Sequence, residues 1–118
     1  MAEKTKQSRI TAEKRRLNKI YATIEDGKKQ AVAGLIERAA FMRVQLEDLE
    51  ADLNKNGWTE LFQQSDKCEP YMRQRPAGQT YISLNSNYQK IIKQLADIVP
   101  DDQSKDAAAD LMNFINGK

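Results

Sequence analysis

Residues 32–53, VAGLIERAAFMRVQLEDLEADL, decide the fold. Val32, Leu35, Ala39, Met42, Leu46, Leu49 and Leu53 advance by alternating steps of three and four, the seam of a long helix packed lengthwise on another. Residues 81–98, YISLNSNYQKIIKQLADI, keep the same alternation through Tyr81, Leu84, Tyr88, Ile91, Leu95 and Ile98. Two helices of similar length, each with one apolar seam, make an antiparallel helical hairpin or an oligomer, and a connection of this length can reverse the chain. Ile36 and Val44 beside the first seam, and Ile82, Ile92 and Val99 beside the second, widen both faces. Apolar flanks of that kind predict pairing between copies on top of the hairpin.

The punctuation around the seams places the other elements. The long helix runs from about Lys28 to Asn54, with Thr23 or Asp26 as its cap and Asn54, Asn56 and Gly57 as its stop. Pro76 opens the next helix, which runs to about Val99 and ends at Pro100. Between them the helical period is lost. Trp58, Leu61 and Phe62, then Tyr71 and Met72, flank a polar stretch at 63–67, so residues 57–75 read as a short β-hairpin or as an extended, aromatic-bearing loop. In either case Trp58 and Phe62 are expected to cover the end of the helical pair.

Ahead of the hairpin, residues 5–22 hold sparse apolar positions at Ile10, Leu17, Ile20 or Tyr21, and Ile24. A stripe that narrow is helical only where it leans on something. After it, Asp101, Asp102 and Ser104 cap a last helix with Ala108, Leu111, Met112 and Ile115 on one side and Phe114 nearby. The expected fold class is therefore mainly all-α. A basic helical arm (1–25) precedes the hairpin core (26–100, with its 57–75 excursion), and a C-terminal helix or tail (101–118) follows.

Composition bounds the chemistry. The chain has no histidine, which removes the usual general base and the commonest zinc ligand, and Cys68 is its one cysteine. No glycine-rich phosphate loop is present, so no enzymatic activity, metal or cofactor is expected. No run approaches the roughly 18 apolar residues of a membrane helix, and the polar start does not read as a signal peptide. No membrane partner and a cytoplasmic location follow as expectations.

Charge is distributed unevenly. Residues 1–29 carry nine basic side chains against four acidic ones, whereas the chain as a whole is only +2. Lys6, Arg9, Lys14, Arg15, Arg16 and Lys19 are thus candidates for contact with a polyanion such as double-stranded DNA. One helix without a second helix and turn ahead of it is no complete helix-turn-helix, so such contact is largely independent of sequence unless many copies act together. Glu47, Asp48, Glu50 and Asp52 lie at steps of one and two, splay around their helix and read as a solvated face. Arg73 and Arg75, beside Pro76 and Tyr71, read as capping groups for helix ends, with nucleic-acid stacking as the alternative.

The run Gly34, Leu35, Ile36, Glu37, Arg38, Ala39, Ala40, Phe41, Met42, then Leu46 and Leu49, closing on Asn56, Gly57 and Trp58, has a second matching run downstream. That run is Arg75, Pro76 and Ala77 with Tyr81, Asn87, Tyr88 and the segment IIKQLADIVP ending at Pro100. Together they resemble phage terminase small subunits over about residues 25–100. The resemblance implies a non-catalytic DNA-packaging component that assembles into a homo-oligomeric ring, binds viral DNA and regulates the large terminase subunit in the cytoplasm of a bacterial host. On this chain it makes Val32, Leu35, Ile36, Met42, Leu46, Leu49, Leu53, Tyr81, Tyr88, Ile91, Ile92, Leu95 and Ile98 the assembly core. Leu111, Met112, Phe114 and Ile115 become the expected dock for the large subunit. Many small terminases have a helix-turn-helix domain before that core, where this chain has room for a single basic helix.

Overall fold

The structure, a computed structural model, describes residues 5–100. The expected last helix, with Leu111, Met112, Phe114 and Ile115, lies outside the described residues. Helix α1 spans Lys6–Ile20, α2 Lys29–Asn56 and α3 Pro76–Asp97, with strands β1 (Thr59–Phe62) and β2 (Tyr71–Gln74) between the two long helices. The hairpin architecture expected from the two seams is present, and residues 57–75 form the β-hairpin rather than a loop.

The local chemistry explains each boundary. Thr5 caps α1 by accepting the Ser8 amide at 3.0 Å, which satisfies one of the free amides of the first turn. Gly57 ends α2 at φ 83°, a left-handed backbone conformation that a side chain disfavours. Pro76 sits in the first turn of α3, where its missing amide costs nothing. The start of α2 differs from expectation. A single 3₁₀ turn over Asp26–Lys28 leads into it, and neither Thr23 nor Asp26 caps it with a side chain. Helix α3 stops at Asp97, slightly before Val99.

Ion pairs and hydrogen bonds fix the packing directions. Arg75 and Tyr81, at the start of α3, reach Asp52 and Glu50 near the end of α2, so the two helices run antiparallel. Lys6 and Arg9 reach residues 45–48, whereas Lys14 reaches Glu37, so α1 is antiparallel to α2 as well. Helix α2 is therefore the central rod with a helix on each of two sides. At 1.5 Å per residue it is roughly 40 Å long.

The heptad stripe of α2 is buried unequally. Val32, Ala39, Leu46 and Leu53 are buried, while Leu35, Met42 and Leu49 are only half-buried. On α3, Tyr88, Ile92 and Leu95 are buried, and Tyr81, Leu84, Ile91 and Ile98 are half-buried. The reason is α1. Leu17, Tyr21 and Ile24 join Ile36 and Ile92 in one core cluster, and Ala12 and Val44 line one hollow between α1 and α2. This corrects part of the expectation for the flanks. Ile36, Val44 and Ile92 are buried within one copy because α1 lies over that side, whereas Ile82 stays half exposed.

Candidate functional site

Two features stand out on this frame, a charged seam between α1 and α2 and an open groove between α2 and α3. The seam is built from sequence-distant partners. Arg9 donates to Asp48 at 2.7 Å and to Glu47 at 3.0 Å, and Lys6 reaches Gln45 at 2.6 Å and Asp48 at 3.2 Å. Lys14 lies 3.5 Å from Glu37. Arg43 joins from within α2 by pairing with Glu47 at 3.3 Å. The Arg9 guanidinium, with help from Lys6, holds the Asp48 carboxyl below its usual range, and Asp48 in turn holds the Arg9 guanidinium more firmly protonated. These groups are partly exposed, so each pair contributes only about 0.2–1 kcal/mol.

The acidic residues thus do more than solvate α2. Glu47 and Asp48 bind α1, Glu50 accepts the Tyr81 hydroxyl at 2.9 Å, and Asp52 receives Arg75 through both oxygens at 2.9 Å. Reading them as a solvated face missed their partners, because steps of one and two splay side chains toward different neighbouring helices.

Each candidate cation has a defined place. Lys6, Arg9 and Lys14 face α2, and Arg16 forks onto Glu13 of its own helix at 2.7 and 2.8 Å. Arg15 and Lys19, four residues apart, are exposed and make no ion pair among the described residues. A helix places them on one face, turned away from Leu17. Between α1 and α2 a hollow of about 290 Å³ is lined by Arg9, Glu13, Arg16, Arg43 and Glu47 together with Ala12 and Val44. Near these charges lies the buried Tyr88 hydroxyl, which no hydrogen bond of good geometry reaches. Burial pushes that phenol up, with Arg43 pulling the other way.

The groove is apolar. A hollow of about 320 Å³ is lined by Phe41, Met42 and Leu84, with Glu37 and Arg38 at its mouth. Phe41 is 52% exposed although it is a large aromatic. Sevenfold spacing continues the stripe to Leu35 and Leu49 on α2 and to Ile91 and Ile98 on α3, all half-buried. The sequence places these positions in the seam and the assembly core without dividing one side from the other. In the structure one side of the seam is closed by α1, while on the other side these residues pack against the core and stay partly exposed.

The β-hairpin is the third exposed element. Its register pairs Thr59 with Gln74, Glu60 with Arg73, Leu61 with Met72 and Phe62 with Tyr71. One face is self-satisfied: Arg73 bonds Glu60 at 2.7 Å and lies 3.6 Å over the Phe62 ring, which meets Tyr71 edge-on. Phe62 is thus occupied within the hairpin instead of covering the helices. Trp58 does meet them, edge-on to Tyr81 at 5.9 Å, though it remains 45% exposed. Arg75 fixes the hairpin base by donating to the Gly57 carbonyl at 2.7 Å as well as to Asp52, the capping role expected of it.

Among the described residues no three carboxylate or thiol side chains converge as a metal site requires, and no helix is long and apolar enough to cross a membrane. No protein-family model, curated protein or solved structure matches this chain.

Proposed function

We propose that this chain is a non-catalytic component of phage DNA packaging, similar to a terminase small subunit, that works as a homo-oligomer in a bacterial host cytoplasm. The observation that best supports self-association is the open α2–α3 groove, where half-exposed Phe41 stands beside Met42 and Leu84. Exposed apolar stripes of helical length mark contact surfaces. A second copy is the fitting occupant. Glu37 and Arg38 flank the groove side by side, so a twofold-related partner sets each acid near the other copy's base.

Assembly also supplies what a single copy lacks. Arg15 and Lys19 give each copy only two outward cations on α1, a weak hold on a duplex. Repeating them around an oligomer raises the effective affinity without any new contact. The large terminase subunit is the proposed protein partner, with Leu111, Met112, Phe114 and Ile115 as its dock. Mass measurement of the native assembly, with and without a terminase large subunit, tests assembly and partner together. A strict monomer that ignores the large subunit contradicts the proposal.

A second reading has its own support. Lys6, Arg9, Lys14 and Arg16 are engaged by the chain's own carboxylates, which favours a helical protein-interaction module with no DNA role. Titrating labelled duplex at two salt concentrations separates the readings. Binding that weakens in Arg15→Ala/Lys19→Ala supports the packaging role, and no binding at low salt supports the module.

A further inference from the structure

We infer that the first part of α1, residues 6–16, is a cryptic phosphate-binding face that the carboxylates of α2 hold closed and that a polyanion opens. The inference rests on the DNA-binding part of the reading above and deepens it by naming how that face is regulated.

Two independent observations carry it. The first is chemical. Lys6, Arg9 and Lys14 each meet a carboxylate or amide oxygen of α2, at positions 37, 45, 47 and 48, more than twenty residues away in sequence. Carboxylates spread along one helix offer the same partners to these cations as the phosphates of a duplex do. Exchange between the two replaces one set of charge-assisted bonds by another, and is steered by whichever anion array is denser.

The second is a gradient of burial along α1. No side chain from Thr5 to Arg16 is buried. Leu17 is then 0% exposed, Tyr21 4% and Ile24 9%. The early turns are thus attached mainly through partly exposed ionic contacts, which salt and competing anions weaken. The later turn is attached through the core. The early turns can therefore lift while Leu17 and Tyr21 keep the helix anchored. Arg16 and Glu13 share one helix and move together. Lifting also widens the hollow beside Val44, which is buried in the closed state, and this opposes opening in the absence of a polyanion.

The test compares two full-length double variants that change net charge equally. Glu47→Gln/Asp48→Asn removes the closing carboxylates, and Asp66→Asn/Glu69→Gln removes two exposed ones from the hairpin loop. Each is titrated with a short labelled duplex at several salt concentrations. The inference expects the first variant to gain at least about tenfold in affinity over the second. It also expects a salt dependence steeper by about 2, because each freed cation that meets a phosphate adds about 0.9. In the unmodified chain, amides 6–16 should exchange faster from α2-bound protection, or shift their NMR signals, when duplex is added. Equal gains in both variants, with amides 6–16 unmoved by duplex, overturn the inference and leave the packaging reading intact. If no version binds duplex at low salt, the DNA reading and this inference fall together.

Discussion

The Tyr21 hydroxyl donates to the main-chain carbonyl of Leu95, joining the residue that follows α1 to the last turn of α3. That carbonyl also accepts the Ile98 amide at 3.2 Å, so one acceptor holds both the end of α3 and the end of α1. Burial pushes the Tyr21 phenol well up, which keeps it a donor at any ordinary pH. Through this bond the amino-terminal helix becomes part of the core instead of a free arm.

Tyr21→Phe keeps the ring and removes the donor. The expected loss is about 1 kcal/mol of stability, the usual net value of such a bond. Thermal unfolding should move down by about 5 °C. An unchanged midpoint would mean that the ring alone anchors α1.

Two glycines should respond oppositely to alanine. A Cβ at Gly34 in the middle of α2 meets nothing within 4 Å, so Gly34→Ala should stabilise by about 0.5–1 kcal/mol through helix propensity. A Cβ at Gly78 comes within 3.0 Å of the Trp58 ring and 3.1 Å of the Gln74 amide. Gly78→Ala should therefore displace Trp58 and destabilise by about 1 kcal/mol. Trp58 is the only tryptophan, so its fluorescence reports the displacement directly, and the midpoints of the two variants should lie on opposite sides of the parent.

The seam should loosen in acid. Asp48 has its carboxyl depressed below the ordinary 3.8 by Arg9 and then Lys6, so its contribution is complete above that value. The contribution is lost as pH falls through the depressed folded-state value. Glu47 and Gln45 face the same cations, and Arg43 joins the seam through Glu47. NMR amide signals of residues 6–16 should stay constant from pH 7 to 5 and shift below about pH 4. Signals from Leu17 to Tyr21 should move less. A shift centred near pH 6 would require a different group.

How much of this was legible in the sequence follows from which features repeat. The seams at 32–53 and 81–98 could be read because helical burial recurs every three or four residues, and Gly57 and Pro76 mark boundaries through backbone chemistry that no tertiary contact overrides. The docking of α1 could not be read from its narrow apolar stripe. The available signal was pairwise: bases at 6 and 9 and acids at 47 and 48 match only once an antiparallel register is assumed. For the same reason the sequence left the candidate cations undivided by direction. Composition cannot tell Arg15, which faces outward, from Arg9, which faces α2. The unequal closure of the seam was hidden too, since Leu35 and Ala39 look equivalent until a third helix covers one side.

Self-association through the open α2–α3 groove is what the proposed function depends on. Sedimentation equilibrium or native mass spectrometry at tens of micromolar tests it most directly, comparing the parent with Phe41→Glu, a change at an exposed position that leaves the core cluster untouched. The parent should have a mass of at least twice 13.5 kDa, and the variant should fall to one copy with its helix content intact. A parent that remains at 13.5 kDa across that range would contradict self-association.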